Sequence, residues 1–441
     1  MSASGTSGRS YGRGAAILSV GIGTTGLITF AYFSLASHSL SESEYGGITL
    51  LWSAVFVTVS VLYRPVEQLL SRTIADRDAR GISGSEHLRV AATIQLGLGV
   101  LFVLAALALR GPIEDGLFEG SSTLYWVLIV TVLAYAASYF ARGYLAGHRR
   151  FELYGGLVFM EAVSRCLFAA AVAVGIADGQ SVVALGLAAA PIVSLAVVPA
   201  AFARRADSGQ LTADRDGSEL DAAARDEPAP SKDAEFTLSH GAGFAVAVLL
   251  IMLAEQTFLN AGPLLVEASE GAGGAALAGF TFNVLLIARA PLQLFQAVQT
   301  SILPHLTRMR ASGETDPFRR SVNLTLTAIA LFAACVALVM LVAGPFLMDL
   351  VFGGDFEYER GGLVLVSLGM GLYLAAATLN QALLAHGRAP HAAAAWVACA
   401  AAFALFLLLA DFDDRVLQVE IAFLGAAALL CALLHTLYRR A

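Results

Sequence analysis

Residues 389–410, APHAAAAWVACAAAFALFLLLA, run for 22 positions without an acid, a lysine or an arginine. That matches the roughly 20 apolar residues a helix needs to cross about 30 Å of hydrocarbon. The run begins next to Arg388 and ends in the acidic DFDDR of residues 411–415. Both features recur along the chain. Twelve such spans can be placed, at residues 14–36, 45–63, 88–109, 123–145, 154–176, 181–203, 239–265, 276–303, 320–344, 361–385, 389–410 and 416–437. The basic residues fall almost entirely in every second gap between them. The reading is an all-α polytopic membrane protein.

Composition agrees. Of 441 residues 57% are hydrophobic and only 14% charged, with a mean hydropathy of +0.72, where a soluble domain carries roughly a quarter charged residues. The net charge of −7 says less than its distribution. With the N-terminus in the cytoplasm, 22 of the 27 Lys and Arg lie inside, and only Arg110, Arg360 and Arg415 lie outside. The topology is therefore N-in and C-in. Residues 1–13 lack a cleavage pattern and the first span is full length, so no cleaved signal peptide is expected. Cys166, Cys335, Cys399 and Cys431 all fall inside spans at no disulfide or zinc spacing and read as packing residues.

One connection differs from the rest. Residues 204–238, beginning RRADSGQLTADRDGSELDAAARDEPAPSKDAEF, are polar, acidic and poor in aromatics, which is the composition of a flexible cytoplasmic linker. It divides the chain into an N-terminal six-helix lobe (1–203) and a C-terminal six-helix lobe (239–441). Six is even, so the lobes would be parallel repeats about an axis along the membrane normal. Span two ends YRPVEQLLSR, with Arg64 before Pro65, and span eight carries ARAPLQLFQAVQ, with Arg289 two residues before Pro291. If the lobes correspond, span two continues past Pro65 to about Ile74 and draws Arg64 and Glu67 into the membrane.

Charges inside a bilayer are costly and mark cavities or partners. Arg289 stands roughly 20 Å along span eight, near the bilayer middle. Gln293, Gln296 and Thr300 follow at steps of four, three and four, on one helical face. Ser60, Arg64, Gln68 and Ser71, at steps of four, four and three, share one face of span two in the same way. The two faces would meet across a central cavity. Span seven adds Glu255, Gln256 and Asn260; span five adds Glu161 and Arg165, four residues apart. That last pair is either an intrahelical ion pair or part of the site. Arg289 can pair with Glu255, Arg64 can snorkel to the cytoplasmic surface, and Arg142 can be a topology signal alone. The acidic outer loops around Glu42 and Glu44, Asp355 and Glu357, and Asp411 to Asp414 read as solvated. No metal spacing and no phosphate-binding loop occurs, so neither a cofactor nor ATP hydrolysis is expected.

The runs YRPVEQLLSR (63–72), RGYLAGHRRFELYGGLVFMEAVSR (142–165), ARAPLQLFQAVQTSILPHLTR (288–308) and LVFGGDF (350–356) resemble polysaccharide-biosynthesis flippases of the multidrug/oligosaccharidyl-lipid/polysaccharide exporter superfamily. The resemblance covers nearly the whole chain through its span order and central linker. It implies a MATE-like V of two six-helix bundles that alternate between inward-open and outward-open forms. It also implies a cationic cavity that holds a lipid-linked pyrophosphate while the polyprenyl tail stays in lipid. On this sequence Arg64, Arg289, Arg165 and Arg142 would contact phosphate, since a guanidinium donates two parallel hydrogen bonds and stays charged. Gln68, Asn260, Gln293 and Gln296 would meet sugar hydroxyls, and Glu255 and Glu161 are candidates for H⁺ or Na⁺ coupling.

The expected partners are a lipid-linked oligosaccharide, membrane lipids, polysaccharide-assembly proteins and a coupling ion. Nucleic acid is not among them, and a bacterial cytoplasmic membrane is the expected site. Two other readings stand beside this one. An ion-coupled exporter of small amphipathic or cationic compounds would show an acid-dominated, aromatic-rich cavity. A membrane glycosyltransferase or ligase would need a sizeable outer loop, and the longest outer gap has only about 16 residues.

Overall fold

The computed structural model describes residues 24–79, 84–148, 150–197, 238–270, 274–287, 315–353, 357–410 and 412–440. Helix α1 covers residues 24–39. It is followed by α2 (Glu42–Leu62), α3 (Arg64–Ala79), α4 (Glu86–Ala108), the short α5 (Arg110–Glu114), α6 (Ser122–Gly147), α7 (Phe151–Ala173) and α8 (Gln180–Ser194). Then come α9 (Leu238–Glu270), α10 (Gly274–Ile287), α11 (Thr315–Phe352), α12 (Arg360–Ala385), α13 (Ala389–Leu409) and α14 (Arg415–Arg439). Among the described residues nine helical spans are long and apolar enough to cross a membrane, and α8 and α10 are shorter apolar helices. With α1 they fall within the twelve expected positions, the first described from residue 24 and the eighth as far as residue 287. Several outrun the hydrocarbon: the 38 residues of α11 rise about 57 Å.

Local signals set the helix ends. Ser41 caps α2 in a reciprocal box with Glu44, and Asp414 caps α14 by accepting from the N–H groups of Val416 and Leu417. Pro65 is the second residue of α3, where a missing N–H costs nothing. A single non-helical residue, Tyr63, separates α2 from α3, and the two form one span, Glu42–Ser71. The expected continuation past Pro65 is therefore present.

Lipid removes most of the hydrophobic driving force between helices, so packing and internal hydrogen bonds hold the bundle. Phe258, Tyr373, Trp396 and Phe403 interlock α9, α12 and α13, with Phe258 and Phe403 stacked at 5.5 Å. The Trp396 indole donates to Asn380 Oδ1 at 3.2 Å. Gln418 Nε2 donates to the carbonyls of Phe406, Leu407 and Ala410, satisfying the end of α13 from α14. Helices α4 and α11 are peripheral: only 22% and 17% of their spans are buried, against 72% for α12.

The N-terminal and C-terminal helices meet chiefly at the ends that the charge pattern assigns outside. There α10 lies against α2 so closely that a Cβ on Gly46 would sit 1.8 Å from the Ala275 carbonyl oxygen, and one on Gly279 would sit 3.0 Å from Gly46 Cα. Glycine permits this approach, as small residues do between membrane helices. Phe33 packs on Phe282 at 4.6 Å. The Tyr45 hydroxyl donates to Asn283 Oδ1, and Asn283 Nδ2 donates to the Tyr358 hydroxyl at 3.1 Å. This is an outer seal, closed in the structure.

Candidate functional site: a cationic cavity below the outer seal

Beneath the seal lies a cavity of about 440 Å³. Its walls are stripes at helical spacing. Trp52, Phe56, Ser60, Arg64 and Gln68 follow each other at steps of four along α2 and α3. Tyr154, Val158, Glu161 and Arg165 line α7; Tyr139 and Arg142 come from α6, and Gln256 and Asn260 from α9. Residues i, i+3 and i+4 share a helix face, so each stripe turns one polar face inward, where a lipid-facing stripe would leave polar groups unsatisfied.

The three arginines are held in different ways. Arg142 Nη2 forms an ion pair with Glu161 Oε2, and Ser138 and Ser194 also donate to Glu161. The Arg142 guanidinium lies 4.6 Å from the Tyr139 ring centroid. Arg165 donates to the Tyr135 hydroxyl at 2.8 Å and sits 5.0 Å from the Trp52 ring and 5.8 Å from the Phe56 ring. Arg64 lines the cavity, and among the described residues its side chain has neither an ion pair nor a hydrogen bond. The Tyr154 hydroxyl donates to Glu67 Oε1 at 2.9 Å. The described lining thus carries three guanidiniums against two carboxylates, and one of those carboxylates is spent on Arg142.

These contacts correct parts of the sequence reading. Glu161 does not pair within α7 with Arg165; it reaches across to α6, because a buried carboxylate needs donors and Arg142, Ser138 and Ser194 converge on it. Arg142 is accordingly more than a topology signal. Arg64 faces the cavity instead of the cytoplasmic surface. Glu255 does not line the cavity; its neighbour Gln256 does, although Glu255 stands within electrostatic range of Arg64. Asn260 lines the cavity as expected, its amide nitrogen donating to the backbone and side-chain oxygens of Gln256 at 3.1 Å. Gln68 is an exposed lining residue. Arg289, Gln293 and Gln296 lie outside the described residues. Missed as site members were Glu67, Tyr139, Tyr154, Trp52 and Phe56. For Glu67 a signal existed, since it follows Arg64 by three residues on the same face.

No protein-family model and no curated protein matches the sequence. Solved structures do match. An inward-facing MATE-family multidrug transporter of the MOP superfamily aligns over 96% of this chain and 97% of its own, at 13% identity and a TM-score of 0.63. The eukaryotic MATE transporter AtDTX14 aligns over 98% and 96%, at 12% identity and a TM-score of 0.65. The lipid II flippase MurJ, in an inward closed conformation, aligns over 96% and 87%, at 10% identity and a TM-score of 0.63. The chain is thus an all-α, multi-pass membrane protein with the fold shared by MATE transporters and MurJ, the fold of the MOP superfamily.

Proposed function

We propose that this protein is an alternating-access transporter that flips a polyprenyl-pyrophosphate-linked oligosaccharide across the cytoplasmic membrane for polysaccharide assembly. The observation that carries this reading is Arg64, which among the described residues has neither an ion pair nor a hydrogen bond, in a cavity that two further arginines help line. A guanidinium whose hydrogen bonds are unmade inside a membrane protein is costly, and a phosphate would relieve that cost with two charge-assisted hydrogen bonds. Gln68, Gln256 and Asn260 supply amide groups for sugar hydroxyls. The closed outer seal, with the cavity on its cytoplasmic side, is the loading form of such a carrier. The moving bodies would be the lobes 1–203 and 239–441, joined by the linker 204–238. MurJ, one of the similar structures, is a lipid II flippase, which fits a lipid-linked substrate. Nothing in this mechanism requires bond chemistry by the protein.

One observation favours a second reading, ion-coupled export of small amphipathic cations. Trp52, Phe56, Tyr139 and Tyr154 line the same cavity with Glu67 and Glu161, and aromatic rings with carboxylates suit a cation. Reconstitution separates the two. Proteoliposomes are loaded with a labelled polyprenyl-pyrophosphate oligosaccharide, or with a cationic dye, and wild type is compared with Arg64→Ala and with empty vesicles. The flippase reading expects glycolipid flipping that falls roughly tenfold to a hundredfold in the variant, the worth of a charged hydrogen bond, with membrane content unchanged. Dye transport without glycolipid flipping would refute it.

A further inference from the structure

We infer that Glu67 takes up a proton when an anionic head group enters the cavity, so that anion loading and protonation form one coupled step. This deepens the flippase reading and rests on it. Glu67 lines the cavity three residues after Arg64, which puts their Cβ atoms about 5–6 Å apart on one face of α3. An anion seated on the Arg64 guanidinium therefore lies beside the Glu67 carboxylate. Two unit charges about 6 Å apart at an effective dielectric constant of about 20 weaken binding roughly a hundredfold for each charge on the ligand. Protonating Glu67 removes that repulsion. It also turns an acceptor into an O–H donor that can point at the phosphate.

The surroundings single out Glu67 among the acids. Glu161 is tied to Arg142, Ser138 and Ser194, and protonating it would strand the Arg142 charge. Glu255 faces Arg64 from α9 without lining the cavity. Glu67 has as its hydrogen-bond donor the neutral hydroxyl of Tyr154. The charged and titratable groups facing it are Arg64 from its own helix, Arg142 and Tyr139 from α6, and Tyr154 and Glu161 from α7. The two arginines that favour its carboxylate are the same two that an incoming anion approaches. Occupancy by the anion withdraws their support, and the proton, drawn from solvent through the cavity mouth, replaces it.

The test uses the full-length protein in detergent micelles and a short-chain prenyl-pyrophosphoryl-N-acetylglucosamine, a pyrophosphate diester that does not itself titrate near neutral pH. Calorimetry in two buffers of different ionisation enthalpy counts the protons exchanged on binding. Wild type is expected to take up close to one proton above neutral pH and to lose about tenfold in affinity per pH unit there. Glu67→Gln is expected to bind with no proton exchange and with a flat pH profile. Binding by wild type without proton uptake, or uptake that persists in Glu67→Gln, would overturn the inference while leaving the flippase reading intact. Absence of binding in both proteins would remove the anion site itself, and this inference with it. If the variant does not fold, the wild-type proton count still decides, together with the infrared carbonyl band of a carboxylic acid that should appear on binding.

Discussion

Gly46→Ala should push the protein toward its outward-open form. The added methyl carbon would fall 1.8 Å from the carbonyl oxygen of Ala275 and 2.2 Å from its carbonyl carbon. Ordinary contact needs about 3.5 Å, so α2 and α10 must separate by about 1.5 Å, and both obstructing atoms are backbone that cannot rotate away. A gap of that size forfeits much of the dispersion energy around it, here between Phe33 and Phe282 and around Gly279. Overpacking of this kind costs about 1–3 kcal/mol, and it falls on the outer-closed form alone. The equilibrium should shift about 5- to 150-fold. The assay places a cysteine at Ser60, a cavity residue, after replacing Cys166, Cys335, Cys399 and Cys431. A membrane-impermeant thiol reagent is then added from the outer side. Labelling should accelerate by the factor above in Gly46→Ala and stay at the starting rate in Gly99→Ala, where the new methyl meets nothing closer than 3.5 Å. Equal labelling in the two variants would refute the seal.

Three further outcomes are expected. Tyr45→Phe removes the donor to Asn283 at the same seal and should raise outer labelling about fivefold, the worth of roughly 1 kcal/mol; no change would mean the bond is not part of closure. Arg142→Ala and Glu161→Ala each leave a buried charge without its partner and should each cost about 3–5 kcal/mol of stability, whereas Arg142→Met with Glu161→Gln should cost much less than the two single changes together, as read by thermal melting in detergent. Gln418→Leu removes the amide that donates to the carbonyls of Phe406, Leu407 and Ala410; Phe406 and Ala410 keep the Ala410 N–H and Arg415 Nη1 as donors, so stability should fall by about 1 kcal/mol, with hydrogen exchange rising at the outer end of α13.

The helices were legible because a span in lipid has to be long and apolar, and Arg388 and the other basic residues betray the side of each loop. The central face of α2 and α3 was legible too. Ser60, Arg64 and Gln68 repeat at a step only a helix explains, and all three reach the cavity. What the sequence could not supply was the identity of neighbours on other helices. Glu161 and Arg165 satisfy the local rule for an ion pair, yet the rule is blind to Arg142, whose charge arrives from α6. Aromatic residues were equally silent. Trp52 and Tyr154 look like any ring in an apolar run until Arg165 and Glu67 are seen against them. Glu255 and Gln256 were read together, and only Gln256 lines the cavity: one position is a rotation of about 100° on a helix, which an apolar run does not resolve.

The third span on either side of the central linker, α4 and α11, is the least enclosed of the long spans described in its set. Leu96, Leu101 and Leu104 on the one, and Leu338, Val342 and Phe346 on the other, stand exposed to the bilayer. An acyl chain asks of such a position only that it be apolar, so exchange among leucine, valine, isoleucine and phenylalanine there changes little. Gly46 has no such freedom. Mutational drift should accordingly collect on these two outer helices of the bundle, which is one way a fold can persist while identity to similar structures falls to between 10 and 16%.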